Sequence, residues 1–192
     1  MTRYFVMKPL DEDHYGTDYI YLDEAAIPEQ LKRACRRGEF QYVDRDLSEL
    51  SLAADCGDVC PDLLYDALHE IPLISDRLKD VFDWLDVRNL YYQRVRLTRK
   101  TPPFLARYWL AIPPRIDCLN RKASQILEDP ECPDAGEATR IVVNEAKTGN
   151  YDIFKLSGVV NEEIIVSNRL REAVELIKPE GIFFLPVEVS VK

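Results

Sequence analysis

Few side chains in this sequence have the type and spacing to do chemistry. Ser75 and Ser167 are candidate nucleophiles, yet neither sits in the G-x-S-x-G elbow that would sharpen a serine for attack. A Ser/His or Cys/His dyad would have to draw on His14, in a polar acidic loop, or His69, beside Glu70, because the chain has 2 histidines. Carboxylates are abundant, so no particular acid–base pair is specified. The 7 glycines are dispersed and build no phosphate loop. The 5 cysteines, Cys35, Cys56, Cys60, Cys118 and Cys132, contain no C-x-x-C. Cys56 and Cys60 read either as a metal or redox pair or as two buried thiols, and two histidines do not complete a zinc set. No metal, no cofactor and no enzymatic activity is expected.

The two serines are better explained by where they stand. Displaced by 92 positions, Leu73–Leu97 lies over Ile165–Val189 without a gap. In one copy Leu78, Val81, Phe82 and Leu85 fall at i, i+3, i+4, i+7; in the other Leu170, Ala173, Val174 and Ile177 do the same, which is one face of a helix. Ser75 and Ser167 precede those helices as N-caps, the hydroxyl accepting an orphan backbone N–H. Asn89 and Gly181 are the expected left-handed stops, and an apolar run follows each. Two strand–helix–strand units of about 25 residues result. Arg77 and Arg169 then occupy the second helical position, where the macrodipole disfavours a cation. Either each pairs with the carboxylate three residues on, Asp80 or Glu172, which the helix geometry favours, or each faces an anion or an acidic group elsewhere in the fold.

Around these units, 192 residues with 46% apolar composition can build a core without staples. The expectation is a single domain, 1–192, with lobes at 1–100 and 101–192 separated near Thr101-Pro102-Pro103. Strands are predicted at Arg3–Lys8, Tyr19–Leu22, Ile141–Val143 and Ile153–Leu156. Helices are predicted from Pro28 to a stop at Gly38 and over Asp62–Leu68, and a surface loop over Asp129–Glu137. Strands interleaved with short helices, without a regular βαβ series, define the fold class as α+β with mixed sheets.

A net charge of −9 argues against a nucleic-acid partner, which would require a basic stripe. No apolar run approaches the ~20 residues of a membrane span, and the N-terminus lacks a signal-peptide layout, so a cytoplasmic protein is expected. The most lopsided stretch runs from Asp44 to Asp62, where Asp44, Asp46, Glu49, Asp55, Asp58 and Asp62 are opposed only by Arg45. It is either a solvated loop or an acidic face for a cationic partner.

Several segments together resemble a bacterial immunity-protein family of polymorphic and contact-dependent toxin systems. They are Ile71-Pro72-Leu73-Ile74-Ser75-Asp76-Arg77-Leu78, then Tyr108-Trp109-Leu110 with Ile116-Asp117-Cys118-Leu119-Asn120, and the closing run Ile153–Leu156, Ile164–Ala173 and Gly181–Val187. The resemblance covers roughly 62–187. Pro113-Pro114 and Asn120 stand where the family pattern has Asn- and Asp-containing stretches. It implies a non-enzymatic protein that binds and neutralises a cognate toxin protein. On that reading the contact residues are Asp11, Glu12, Asp13, Asp44, Asp46, Glu49, Asp55, Asp58 and Asp62. The alternative is an anion-binding regulator or small enzyme with a pocket between the units, lined by Arg77, Arg169, Tyr108 and Asp117. A homodimer through exposed Tyr and Phe also stays open.

Overall fold

The computed structural model describes residues 3–9, 18–66, 71–129, 132–160 and 163–190. Thirteen strands and three α-helices are found among them, an α+β arrangement as the sequence predicts. The strands are β1 (Tyr4–Pro9), β2 (Glu49–Ser51), β3 (Leu63–Asp66), β4 (Ile71–Ile74), β5 (Tyr91–Arg99), β6 (Phe104–Ile112), β7 (Arg115–Ile116), β8 (Gln125–Asp129), β9 (Cys132–Arg140), β10 (Val142–Asn144), β11 (Ile153–Leu156), β12 (Ile164–Ser167) and β13 (Ile182–Ser190). The helices are α1 (Glu29–Arg37), α2 (Asp76–Trp84) and α3 (Asn168–Leu176).

The repeat is larger than its two strand–helix–strand kernels. One sheet runs β2-β5-β6-β4-β3, the other β10-β13-β1-β12-β11-β7. Apart from the added edge strand β7, they match strand for strand. In each, the outermost pair (β2 with β5, β10 with β13) is parallel and the other matched pairs are antiparallel, while the added β7 pairs with β11 in parallel. Registers match too. Leu110 faces Gln93 and Leu73 in the first sheet, while Val6 faces Leu185 and Ile165 in the second. The odd feature is the source of the central strand. In the first sheet it is β6, joined to β5 by the turn that holds Thr101-Pro102-Pro103; in the second it is β1, from the start of the chain.

Helices α2 and α3 each put one apolar stripe into a core shared by both sheets. Leu78, Val81, Phe82, Leu170, Ala173 and Val174 meet Leu63, Ile74, Met7, Ile153 and Val166 there. Each of these side chains other than Ala173 contributes about 1.5–3 kcal/mol when fully buried. The outer face of the first sheet is covered by α1 through Leu31, Ala34 and Cys35. The outer face of the second packs Tyr4, Phe154 and Ile165 against Cys118, Leu119, Ala138 and Val143.

Ser75 and Ser167 are the N-caps expected, each hydroxyl accepting from the N–H three residues on, Leu78 or Leu170, at 3.1 and 3.2 Å. The stops differ from expectation. The left-handed residues are Asp86 and Lys178, again 92 apart; Gly181 also has a positive φ but sits at the mouth of β13. Asn89 instead donates to the Ile153 carbonyl at 2.5 Å. Within the helix predicted over Asp62–Leu68, Leu63–Asp66 is instead a strand, β3, because alternate residues face different cores: Leu63 the shared one, Leu64 that under α1; residues 67–68 lie outside the described residues. Of the loop predicted over Asp129–Glu137, residues 132–137 belong to β9, paired with β8 through register shifts, and residues 130–131 lie outside the described residues.

The local pairing expected for the two arginines does not form. Arg77 reaches Asp62 at 3.3 Å and donates to the Ile177 carbonyl at 2.6 Å, which caps the end of α3. Arg169 forks onto both carboxylate oxygens of Asp152. Charge-assisted bonds to a largely buried carboxylate, bidentate for Arg169 and joined by a backbone carbonyl for Arg77, outcompete an i,i+3 contact on an exposed face.

Candidate functional site

The acidic stretch Asp44–Asp62 does not act as one unit. Its first part, Asp44–Glu49, lies over β5. The Gln93 amide on that strand donates to the carbonyls of Asp44, Arg45 and Leu47 at 2.9, 3.3 and 2.6 Å, and its own oxygen accepts the Tyr91 hydroxyl at 2.5 Å. Phe40 stacks on the Tyr91 ring with centroids 5.4 Å apart. Asp44 caps the Asp46 N–H at 2.9 Å, and Glu49 pairs with Arg96 at 3.3 Å. Charge here is mixed: Arg33 lies over Tyr42, and both line a cavity of about 400 Å³ with Gln30, Gln41, Val43 and Asp44.

The second part, Ser51–Cys60, pairs with residues 18–23 to form an irregular ribbon. Val59 N–H donates to Asp18, Ile20 to Val59, Gly57 to Tyr19, Ala53 to Tyr21 and Asp23 to Ser51, all at 2.9–3.1 Å. The strand predicted at Tyr19–Leu22 is therefore present as two isolated bridges, Tyr19 with Val59 and Leu22 with Leu52. Ile20 and Leu22 point inward and are buried, whereas Tyr21 is 43% and Val59 40% exposed. Gly57 is required by close approach, since a Cβ there would lie 1.9 Å from the Asp18 carbonyl oxygen. Arg99 fastens the ribbon from beneath. Its buried guanidinium donates to the carbonyls of Cys56, Gly57 and Pro102 and to the Asp58 carboxylate. Asp18, Glu24, Asp55 and Asp58 remain on the outside. The Tyr21 hydroxyl, bonded to Asp55, holds that carboxyl below its usual range. Cys56 is buried in this ribbon and Cys60 is exposed, so the expected pair of buried thiols is realised at Cys56 alone.

Asp62 is part of the framework. It is 3% exposed and accepts the Ser75 hydroxyl and the Glu180 N–H at 2.5 and 2.8 Å in addition to Arg77. Asp11, Glu12 and Asp13, with His14 and His69, lie outside the described residues. The pocket residues of the alternative reading have separate partners. Tyr108 is buried under α1 and donates to the Pro61 carbonyl at 2.6 Å, Asp117 pairs with Lys147 on the surface at 3.2 Å, and Arg77 and Arg169 engage Asp62 and Asp152. What sequence reasoning missed was residues 18–24 as the partner of the acidic stretch. The available signal was charge: no Lys or Arg occurs between Lys8 and Lys32, or between Arg45 and Arg77.

Among the described residues no group of His, Cys, Asp and Glu could hold a metal ion, and no helix is long and apolar enough to cross a membrane. The chain belongs to the immunity protein family Imm11, whose family model matches residues 17–189. No curated protein matches it.

Proposed function

We propose that this protein binds a cognate bacterial toxin and blocks it inside the producing cell, acting by contact rather than by catalysis. Membership of the immunity family supports the role. The observation that carries the contact mechanism is the rigidity of the acidic surface: Gln93 pins Asp44–Leu47 and Arg99 pins Cys56–Asp58, so carboxylates are presented without an ordering cost on binding. Acidic complementarity steers the encounter and excludes wrong partners. The candidate contact carboxylates fall in two groups, Asp44, Asp46 and Glu49 beside Gln93, and Asp55 and Asp58 beside Arg99.

The test begins with the tagged protein as bait in lysate of its own host. Large proteins bearing a C-terminal toxin domain that co-purify are then expressed alone and together with this chain. Growth arrest by one such domain, relieved only when this protein is present, is the expected result. Toxicity that persists for every candidate recovered overturns the reading.

A further inference from the structure

Resting on that reading, we infer that the toxin docks on the ribbon of residues 18–24 and 53–60, through a lysine- and arginine-bearing face, and that Asp44–Glu49 lies outside the contact. The two parts of the acidic stretch differ in surroundings. Asp44, Asp46 and Glu49 share their surface with Arg33, Arg45 and Arg96, which cancel their charge toward a distant partner. The ribbon instead joins two segments that are free of Lys and Arg over their whole lengths, Pro9–Leu31 and Asp46–Asp76. Its one guanidinium, Arg99, is 4% exposed and faces inward. The charge that the ribbon itself turns outward is therefore of a single sign.

The ribbon also has the apolar centre that an interface needs. Tyr19 and Val59 form a bridged pair, so their side chains share a face, and Tyr21 lies two residues along on that same face. Tyr21 and Val59 stay half-exposed while Ile20 and Leu22 fill the core behind them. Aromatic anchors rimmed by carboxylates suit a partner that presents apolar surface framed by basic side chains. A flexible acidic loop would have to be ordered on binding; this one is held by five ladder bonds and the Arg99 fork.

The experiment uses the full chain and the toxin domain shown to be neutralised in the growth assay. Association is followed by stopped flow at low and at high sodium chloride. Asp18→Asn, Glu24→Gln and Asp55→Asn are combined in one variant, none of them holding a buried group. Asp44→Asn with Asp46→Asn is the control, and Tyr21→Ala probes the apolar centre. The expected result is about tenfold slower association of the triple variant at low salt with a flattened salt dependence. Tyr21→Ala should speed dissociation, and the control should stay within about twofold of the parent chain, as rim changes in a screened patch do. Toxin binding by the parent chain with the triple variant unchanged, or with the control more affected than the triple variant, overturns the ribbon inference and leaves the immunity reading standing. Failure of the parent chain to bind the neutralised toxin removes the contact mechanism itself.

Discussion

The Ser75 hydroxyl donates to Asp62 at 2.5 Å, and its backbone N–H donates to the Asp62 carbonyl at 2.9 Å. Ser167 makes the same two bonds to Asp152, at 2.7 and 2.9 Å. In each unit the cap that starts the helix is thus tied to the residue just ahead of β3 or β11, the strand that pairs with the one leading into the helix, and the arginine two positions into the helix closes onto the same carboxylate. Other pairs repeat with it. Lys79 lies over Trp109 and bonds Asp83, and Arg171, 92 positions later, lies over Phe5 and bonds Glu175. Trp109 and Phe5 occupy equivalent places on the two central strands. Side-chain chemistry has kept the duplication where chain order has not.

Asp62→Asn combined with Ser75→Ala tests this node. Asp62→Asn alone is expected to cost about 2–3 kcal/mol, the loss of charge-assisted bonds at a buried carboxylate. Ser75→Ala should cost about 1 kcal/mol as a lost cap. Because the two groups touch, the double variant should fall short of the sum by about 0.5 kcal/mol or more. Urea unfolding of the four proteins gives the answer; strict additivity would mean the two bonds act independently.

Leu78 and Leu170 are equivalent, both fully buried in the shared core. Each Leu→Ala change should cost about 3 kcal/mol by lost transfer energy and cavity formation. The exposed helix ends Trp84 and Leu176, also equivalent and 74% and 78% accessible, should tolerate alanine within about 0.5 kcal/mol. Thermal melts of the four variants separate the two classes. A large loss at Trp84 or Leu176 would reveal a contact made in solution by a second molecule.

The kernel of the fold was legible because Leu73–Leu97 and Ile165–Val189 match without a gap, and a capped 3.6-residue period is a strong signal. The rest of the repeat was hidden by small shifts. Leu63 and Ile153 are equivalent at a spacing of 90, and Leu50 and Val143 at 93, so an ungapped comparison loses both strands. The match of β6 with β1 is hidden by order along the chain, which no linear comparison recovers. The arginine partners were missed for a related reason: Asp62 and Asp152 lie 15 and 17 residues upstream, beyond any helix-local rule. The acidity of the ribbon could be read from composition, but its pairing with Tyr19–Leu22 rests on the bare backbone of Gly57 and on Arg99 arriving from β5.

Glu188 on β13 is bridged by Arg140 at 2.8 Å, and that hydrogen bond holds its carboxyl below the ordinary value of 4.5. A carboxylate with a lowered folded pKa adds stability above its unfolded pKa and loses it as pH falls through the folded one. Glu188→Gln should therefore be less stable than the parent chain at neutral pH, and the gap should close on acidification below 4.5. Both side chains are solvent-facing, so the gap should also shrink in high salt. Urea midpoints across a pH series in two salt concentrations measure this. A gap that is constant with pH would assign the effect to packing rather than charge.

Gly57→Ala tests whether the ribbon is held by contact between its backbones. The added methyl would meet the Asp18 carbonyl carbon and oxygen at 2.1 and 1.9 Å, both backbone atoms that cannot swing aside. Relief requires the two segments to part, breaking the Gly57–Tyr19 and Val59–Asp18 hydrogen bonds. Overpacking of this kind costs about 1–3 kcal/mol. Because Ile20 and Leu22 sit on the same segment, their hold on the core under α1 should weaken as well. Native-state hydrogen exchange should show faster exchange at the Ile20, Gly57-position and Val59 amides, while the amides of β12 and β13 keep their protection. Unchanged exchange at Ile20 and Val59 would mean that Arg99 alone fixes the ribbon. The cause of its rigidity would then move from backbone approach to the guanidinium fork.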